Sequence, residues 1–230
     1  MEITPVAVIH TDFPTKFGIP RQAGIVPELK GMITFFPAFS QPEAVRGIEG
    51  FDYLWLLWDF SREHHEIHNA TVHPPRLGGR ESVGVFASRS PFRPNSIGLS
   101  SVRLDSVEYT DKGPVLHVSG VDMVDGTPIY DIKPYIAFED SHAGAKSGYV
   151  DTVSWKPLTV TDPDDLIGRS HLTELQKKAL FKVLEQDPRP KFDEVSDGSR
   201  RYGFYYADLD VRFTVTGDVL TVTELAPGIR

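Results

Sequence analysis

GVFASRSPFRPNSIGLSSVRL, residues 84 to 104, is the stretch on which the reading of this chain turns. An alternating apolar run (Val83, Val85, Ala87) leads into it, and a second run (Ile97, Leu99, Val102, Leu104) leads out. Between them Pro91 and Pro94 fix φ and remove two backbone donors, so the middle is a stiff turn and not part of a helix. A stiff turn between two strands is a good mount for functional side chains. Arg89 and Arg93 stand there as planar, permanently charged forks that suit carboxylate or phosphate. The plainer reading, an arginine-rich surface turn with internal hydrogen bonds, fits the same residues.

Strands are also expected on either side of this turn. They are read at residues 3–10, 31–39, 51–60, 82–88, 98–109, 113–121 and 128–138, punctuated by Gly and Pro. The run Phe51 to Phe60 is apolar but for Asp52 and Asp59, as a buried strand would be. Residues 15–24 read as a loop carrying Arg21 and Gln22, and residues 42–47 as a short helix with Pro near its first turn. Short, regularly spaced strands predict a closed or sandwiched sheet. The composition changes at SHAGAKSG (141–148), a linker-like stretch. Beyond it an amphipathic helix is expected from about His171 to Gln186, with Leu172, Leu175, Ala179, Leu180, Val183 and Leu184 on one face. Thr173 and Gln176 are spaced for a capping box. A strand near 202–208 and a hairpin turning at Thr216-Gly217-Asp218 complete a small α+β unit.

Composition narrows the function. Fourteen Phe and three Trp are ample for a core, and the absence of cysteine excludes disulfides, thiolate nucleophiles and cysteine-based zinc sites. The opening MEITPVAVIHTDF lacks the regions of a signal peptide, and the strongest apolar run is too short to span a bilayer, so a soluble cytoplasmic protein is expected. A net charge of −8 argues against a general, charge-driven grip on nucleic acid. Residues 74–103 nevertheless hold Arg76, Arg80, Arg89, Arg93 and Arg103 against Glu81 alone, a local basic segment suited to a defined anionic ligand.

Neither a dinucleotide-binding GxGxxG nor a P-loop is present, which disfavours a doubly wound nucleotide-binding fold. Asp125-Gly126-Thr127-Pro128 is first a turn; read functionally, it brings backbone groups and a carboxylate near a cation or a ribose. His64, His65, His68 and His73, with Glu63 and Glu66, contain an i, i+4 pair that could hold a metal. HEIH is not HExxH, however, and no metal is expected. Tyr202, Phe204, Tyr205 and Tyr206 are read as packing rather than base-stacking residues.

Five short motifs in one order, Pro20-Arg21-Gln22, HPPRLGG (73–79), RSPFRPNSIGLSSVRL (89–104), VDGTPIYDIKPY (124–135) and QDPRP (186–190), resemble the TrmO family, also called TsaA-like or YaeB-like proteins. The resemblance implies an S-adenosylmethionine-dependent tRNA methyltransferase with a non-Rossmann β-barrel domain at 1–145 and a small α+β domain at 146–230. It implies methylation of N6 of threonylcarbamoyladenosine beside the anticodon, a homodimer, and no membrane association. Carried across by motif, Pro20, Arg21, Gln22, Ser61, Arg62, Arg89, Leu99, Asp125, Gly126, Thr127 and Pro128 would hold the cofactor. Arg93 and Asn95, with Asp131 or a nearby group taking the N6 proton directly or through water, would form the catalytic set. Lys133 would join Arg89 and Arg93 in meeting substrate carboxylate and phosphates. Related members more often carry a His and a polar partner at 61 and 62, and proline at 96 where this chain has Ser96. A non-catalytic RNA- or nucleotide-binding module using the same arginine turn is the alternative. A metal-dependent hydrolase built on the histidines is a third reading. The pairing of an arginine turn with an acidic DGTP loop favours the enzyme.

Overall fold

A computed structural model describes residues 2–64, 69–74, 77, 81–153, 156–190 and 195–228. Its strands are β1 (Ala7–Thr11), β2 (Lys30–Phe35), β3 (Tyr53–Asp59), β4 (Thr71–Val72), β5 (Val83–Gly84), β6 (Ile97–Thr110), β7 (Gly113–Ser119), β8 (Thr127–Pro134), β9 (Thr159–Thr161), β10 (Asp197–Tyr206), β11 (Leu209–Thr216) and β12 (Val219–Pro227). Two helices, α1 (Ala137–Asp140) and α2 (Glu174–Glu185), accompany them. The strand expected at 82–88 is shorter than read, because after β5 the chain tightens into a 3-10 turn at Val85–Ala87.

β1, β2, β7, β6, β3 and β8 close into a barrel in that order, and every neighbouring pair is antiparallel. Closure leaves these six strands without a free edge. Period-2 alternation fills the interior with Ala7, Ile9, Ile33, Leu54, Leu56, Val102, Leu116, Val118 and Ile129, all buried. β3 departs from the expectation of a strand covered on both sides. Leu54, Leu56 and Trp58 point inward, while Tyr53, Trp55 and Leu57 are exposed or half-buried on the outer wall.

The C-terminal unit is a sheet ordered β10-β11-β12-β9, with β9 parallel to β12. Helix α2 buries Ala179, Leu180, Val183 and Leu184, and its Thr173–Gln176 capping box is formed. The β11–β12 hairpin turns at Gly217 and Asp218, as the sequence predicts. Tyr202, Phe204 and Tyr206 are core side chains. This sheet packs on the barrel unit through one continuous core. Across the seam Ala207 N donates to Asp12 O at 2.6 Å, and Gln176 Nε2 donates to Asp12 Oδ1 at 3.0 Å.

Candidate active site

Antiparallel pairing decides where the loops gather. The C-terminal ends of β1, β3 and β7 and the N-terminal ends of β2, β6 and β8 lie at one mouth of the barrel. The segments 12–29, 60–96 and 120–126 therefore rise from the same end. A cavity of about 630 Å³ opens there, lined by parts of all three and by the strand ends beneath them. That volume lies within the range of small-molecule sites, roughly 300–1,000 Å³.

The arginine segment is held as a rigid loop by its own short bonds. Ser88 Oγ donates to Val85 O at 2.9 Å, Ser88 and Ser90 hydroxyls accept the amides of Ser90 and Phe92, and Arg93 N donates to Pro91 O at 2.8 Å. Arg93 Nη1 reaches back to Ser88 O at 3.1 Å. Arg89 Nη1 crosses to Gln22 Oε1 at 2.5 Å, and Gln22 Nε2 donates to Arg21 O at 2.6 Å. The Pro20–Gln22 loop and the arginine loop thus form one wall. The close approach of Gly24 to Gly120 (Gly24 N to Gly120 O, 2.8 Å) brings that wall against the 120–126 segment. Gly120 sits at φ 74°, and an added Cβ would lie 3.2 Å from Gly24 backbone atoms, so this contact requires glycine.

On the barrel strands beneath, the Trp58 indole of β3 lies over Gly98 of β6, where a Cβ would fall 2.3 Å from the ring. Trp58 Nε1 donates to Ser100 Oγ at 3.0 Å, and Ser100 Oγ donates to Asp122 Oδ1 at 2.7 Å. Burial pushes the Asp122 carboxyl up to about 6, opposed by the Ser100 hydroxyl, the Ala23 amide and the charge of Arg89. Asp122 lines the cavity. Nearby Asp59 accepts from His64 Nε2 at 2.7 Å, and burial together with Asp59 raises the Tyr130 hydroxyl.

The structure brings together Pro20, Arg21, Gln22, Ser61, Arg62, Arg89, Arg93, Asn95, Leu99 and Thr127, all of which line the cavity. Asp125, Gly126, Pro128 and Asp131 are not among its lining residues. Asp125 instead accepts the Thr11 amide at 3.1 Å and His10 Nδ1 at 3.2 Å, and Gly126 N donates to Ile9 O at 2.9 Å. The DGTP turn is tied to β1, and Thr127 alone of its four residues reaches the cavity. Asp131 sits on β8 opposite Leu57 and pairs with Lys133 at 2.9 Å; the outward phase of the strand at that position carries it away from the mouth. Of the histidine cluster, His65 and His68 lie outside the described residues. His64 is engaged by Asp59, and among the described residues no group of three or more His, Asp or Glu is arranged to hold a metal.

Asp122 is the residue that sequence reasoning missed. Its signal is a lone carboxylate in the run Val121-Asp122-Met123-Val124, between two side chains that bury fully. In a chain of net charge −8, the cavity gathers Lys16, Arg21, Arg62, Arg89 and Arg93 with the carboxylates Asp59, Glu63 and Asp122. Phe86, 80% exposed, and Leu99, 47% exposed, add apolar surface at the rim. Such a lining offers a ligand apolar surface together with groups of both charges.

Comparison with known proteins agrees with this architecture. The family model of the tRNA-methyltransferase O N-terminal domain matches residues 8–141, and that of the TrmO C-terminal domain matches residues 165–228. A tRNA (adenine(37)-N6)-methyltransferase of Escherichia coli is 36% identical over 228 residues, covering 96% of each chain. A putative S-adenosylmethionine-dependent methyltransferase of Pseudomonas aeruginosa is 37% identical over 233 residues, covering 98% of each. A crystal structure of TrmO from the same organism superposes with a TM-score of 0.78 at 32% identity, covering 99% of this chain and 97% of that one. With both units matched in order, the chain belongs to the TrmO family of tRNA methyltransferases.

Proposed function

We propose that this chain transfers the methyl group of S-adenosylmethionine to N6 of adenosine 37 in tRNA, and that the base it accepts carries a threonylcarbamoyl group. The observation that carries this reading is the cavity at the barrel mouth in which the arginine loop, the Pro20–Gln22 loop and the 120–126 segment converge. S-adenosylmethionine supplies a methyl group on a cationic sulfur. The donor set fits it: apolar rim residues for the adenine, arginines for the carboxylate, and Asp59 and Glu63 for the cationic groups.

Pro20, Arg21, Gln22, Ser61, Arg62, Arg89, Leu99 and Thr127 are the residues we assign to the cofactor. In this reading Asp125, Gly126 and Pro128 act by shaping the turn that presents Thr127. Arg93 and Asn95 stand on the side from which substrate enters, where Arg93 meets the threonyl carboxylate or a phosphate. Transfer is an in-line displacement, so positioning of donor and acceptor supplies most of the rate. The remainder comes from removing the N6 proton.

We further propose that the barrel unit (1–145) holds the chemistry, that the C-terminal unit (146–230) adds tRNA contacts, and that two copies associate. The apolar outer wall, with Tyr53 exposed and Trp55 and Leu57 half-buried, supports that association. No helix among the described residues is long and apolar enough to cross a membrane; a cytoplasmic location is inferred from the tRNA substrate. A simple nucleotide-binding module has no use for carboxylates at the floor of a basic cavity, which disfavours it.

Calorimetric titration with S-adenosylmethionine, followed by nucleoside mass spectrometry of tRNA incubated with the protein, tests the reading. Micromolar binding and a single added methyl at position 37 are the expected results. No binding, with or without tRNA, would remove the methyltransferase reading.

A further inference from the structure

We propose that Asp122 is the group that takes the N6 proton during methyl transfer, and that Ser100, itself anchored by Trp58, is the positioning residue that fixes it. The proposal rests on the reading of the chain as an N6-methyltransferase and names a residue that neither the family motifs nor the sequence pattern single out.

The geometry supplies four reasons. Asp122 lines the cavity, whereas Asp131, the acid suggested by the family motif, does not. Its Oδ1 is occupied by Ser100 at 2.7 Å. Ser100 cannot turn away, because the same oxygen accepts the Trp58 indole N–H at 3.0 Å. A hydroxyl has one proton, so this chain of bonds points one way and keeps Asp122 as the acceptor at its end. Trp58 is in turn held over Gly98 and against Phe60, ring centroids 4.3 Å apart, so the array is rigid.

Among the charged groups of the lining, Arg89 acts on Asp122 and favours its ionised form. Lys16, Arg21, Asp59, Arg62, Glu63 and Arg93 complete that lining among the described residues. Lys16 and Glu63 are paired with each other, and Asp59 is paired with His64, so both of those acids face a basic partner, whereas Asp122 accepts from the neutral Ser100 hydroxyl and the Ala23 amide. Burial raises Asp122 to about 6. At neutral pH it is therefore ionised yet a stronger base than an ordinary carboxylate, which is what general-base catalysis near pH 7 requires.

The step balances. The electron pair of N6 forms the new C–N bond while the C–S bond breaks with its electrons moving to sulfur. The N6 proton passes to the Asp122 carboxylate. A sulfonium and a carboxylate become a thioether and a carboxylic acid, and the acid later returns its proton to water. Two opposite charges vanish inside a partly enclosed site, where their solvation is poor.

Single-turnover methylation, calorimetry and NMR together test this. Asp122→Asn should lower the single-turnover rate by about 10²- to 10⁴-fold, with S-adenosylmethionine and tRNA affinities within about threefold of wild type. The wild-type rate should rise with pH through a limb near 6, and Ser100→Ala should move that limb to higher pH, because Ser100 favours the ionised form. Independently of activity, the Trp58 indole N–H resonance, assigned with Trp58→Phe, should titrate near pH 6 in the wild type and not in Asp122→Asn. Wild-type turnover in Asp122→Asn overturns the assignment. So does a rate loss matched by lost cofactor affinity, or an indole resonance that does not titrate. A limb unmoved in Ser100→Ala overturns it as well, and keeps the test open should Asp122→Asn fail to fold. Absence of methylation by the wild-type chain would instead sink the enzymatic reading on which the assignment rests.

Discussion

The ring of Phe13 meets Tyr206 edge to face, with centroids 5.4 Å apart and planes at 64°, and both residues are fully buried. Phe13 follows β1 of the barrel, and Tyr206 ends β10 of the C-terminal sheet. The same seam holds Asp12, whose carboxyl is raised by burial and bonded to Gln176 of helix α2. The Pro20–Gln22 wall of the cavity follows directly on this seam, so docking of the C-terminal unit bears on the site. Phe13→Ala should cost about 3–5 kcal/mol and both units should still unfold in one transition. Urea denaturation followed by fluorescence and circular dichroism checks this; two separated transitions would show that the units fold independently.

A second expectation concerns the QDPRP stretch, whose arginine is structural. Arg189 Nε and Nη2 bind Asp187 at 2.7 and 2.9 Å, and Nη1 donates to Val195 O and Ser196 Oγ. Arg189 is 7% and Asp187 8% exposed. Removing one partner of a buried pair leaves an uncompensated charge, so Arg189→Ala should destabilise by about 3–5 kcal/mol. Arg189→Lys should recover little, because an ammonium lacks the planar fork. Equal stability of the lysine and wild-type proteins would contradict the bidentate account.

Much of this was legible in the sequence where period and chemistry coincide. Ala179, Leu180, Val183 and Leu184 bury on one face of α2, the Thr173–Gln176 capping box forms, and Arg89 and Arg93 do stand on a stiff loop at the cavity. What local sequence cannot convey is which way a turn faces. Asp125 and Asp131 carry suitable chemistry, yet one is spent on the Thr11 amide and the other follows the outward phase of β8. Asp122 was hidden for the opposite reason: its partner Ser100 is 22 positions away along the chain, Trp58 is a further 42 from Ser100, and only barrel closure joins them.

The outer wall of the barrel gives a third expectation. Leu57 lies across from Leu99 on neighbouring strands, beside Trp55, whose ring centroid is 5.7 Å from that of Tyr135. Arg103, Ser101 and the Asp131–Lys133 pair flank this apolar row on the neighbouring strands, and an apolar row within a polar rim is the kind that a second protein surface covers. If two copies meet there, Leu57→Asp should shift the protein from dimer to monomer in sedimentation, with the barrel intact because this side chain points outward. A dimer that persists would move the interface elsewhere.

Asp122 also has a thermodynamic signature separate from its catalytic one. Its folded-state value of about 6 lies above the ordinary 3.8, so the folded protein binds the proton more tightly than the unfolded chain. Between roughly pH 4 and 6 the native state holds more protons, and stability falls as pH rises through that window. Above pH 6 the ionised carboxyl costs on the order of 3 kcal/mol, at 1.36 kcal/mol per unit. Asparagine keeps an oxygen for Ser100 without the charge. Asp122→Asn should therefore be more stable than wild type at pH 7.5 by up to that amount, and the gap should close by pH 4. Urea unfolding at the two pH values measures it. A variant less stable at pH 7.5, or a gap independent of pH, would mean that the carboxylate is better solvated in its pocket than its burial implies, and that Arg89 and Ser100 together compensate its charge.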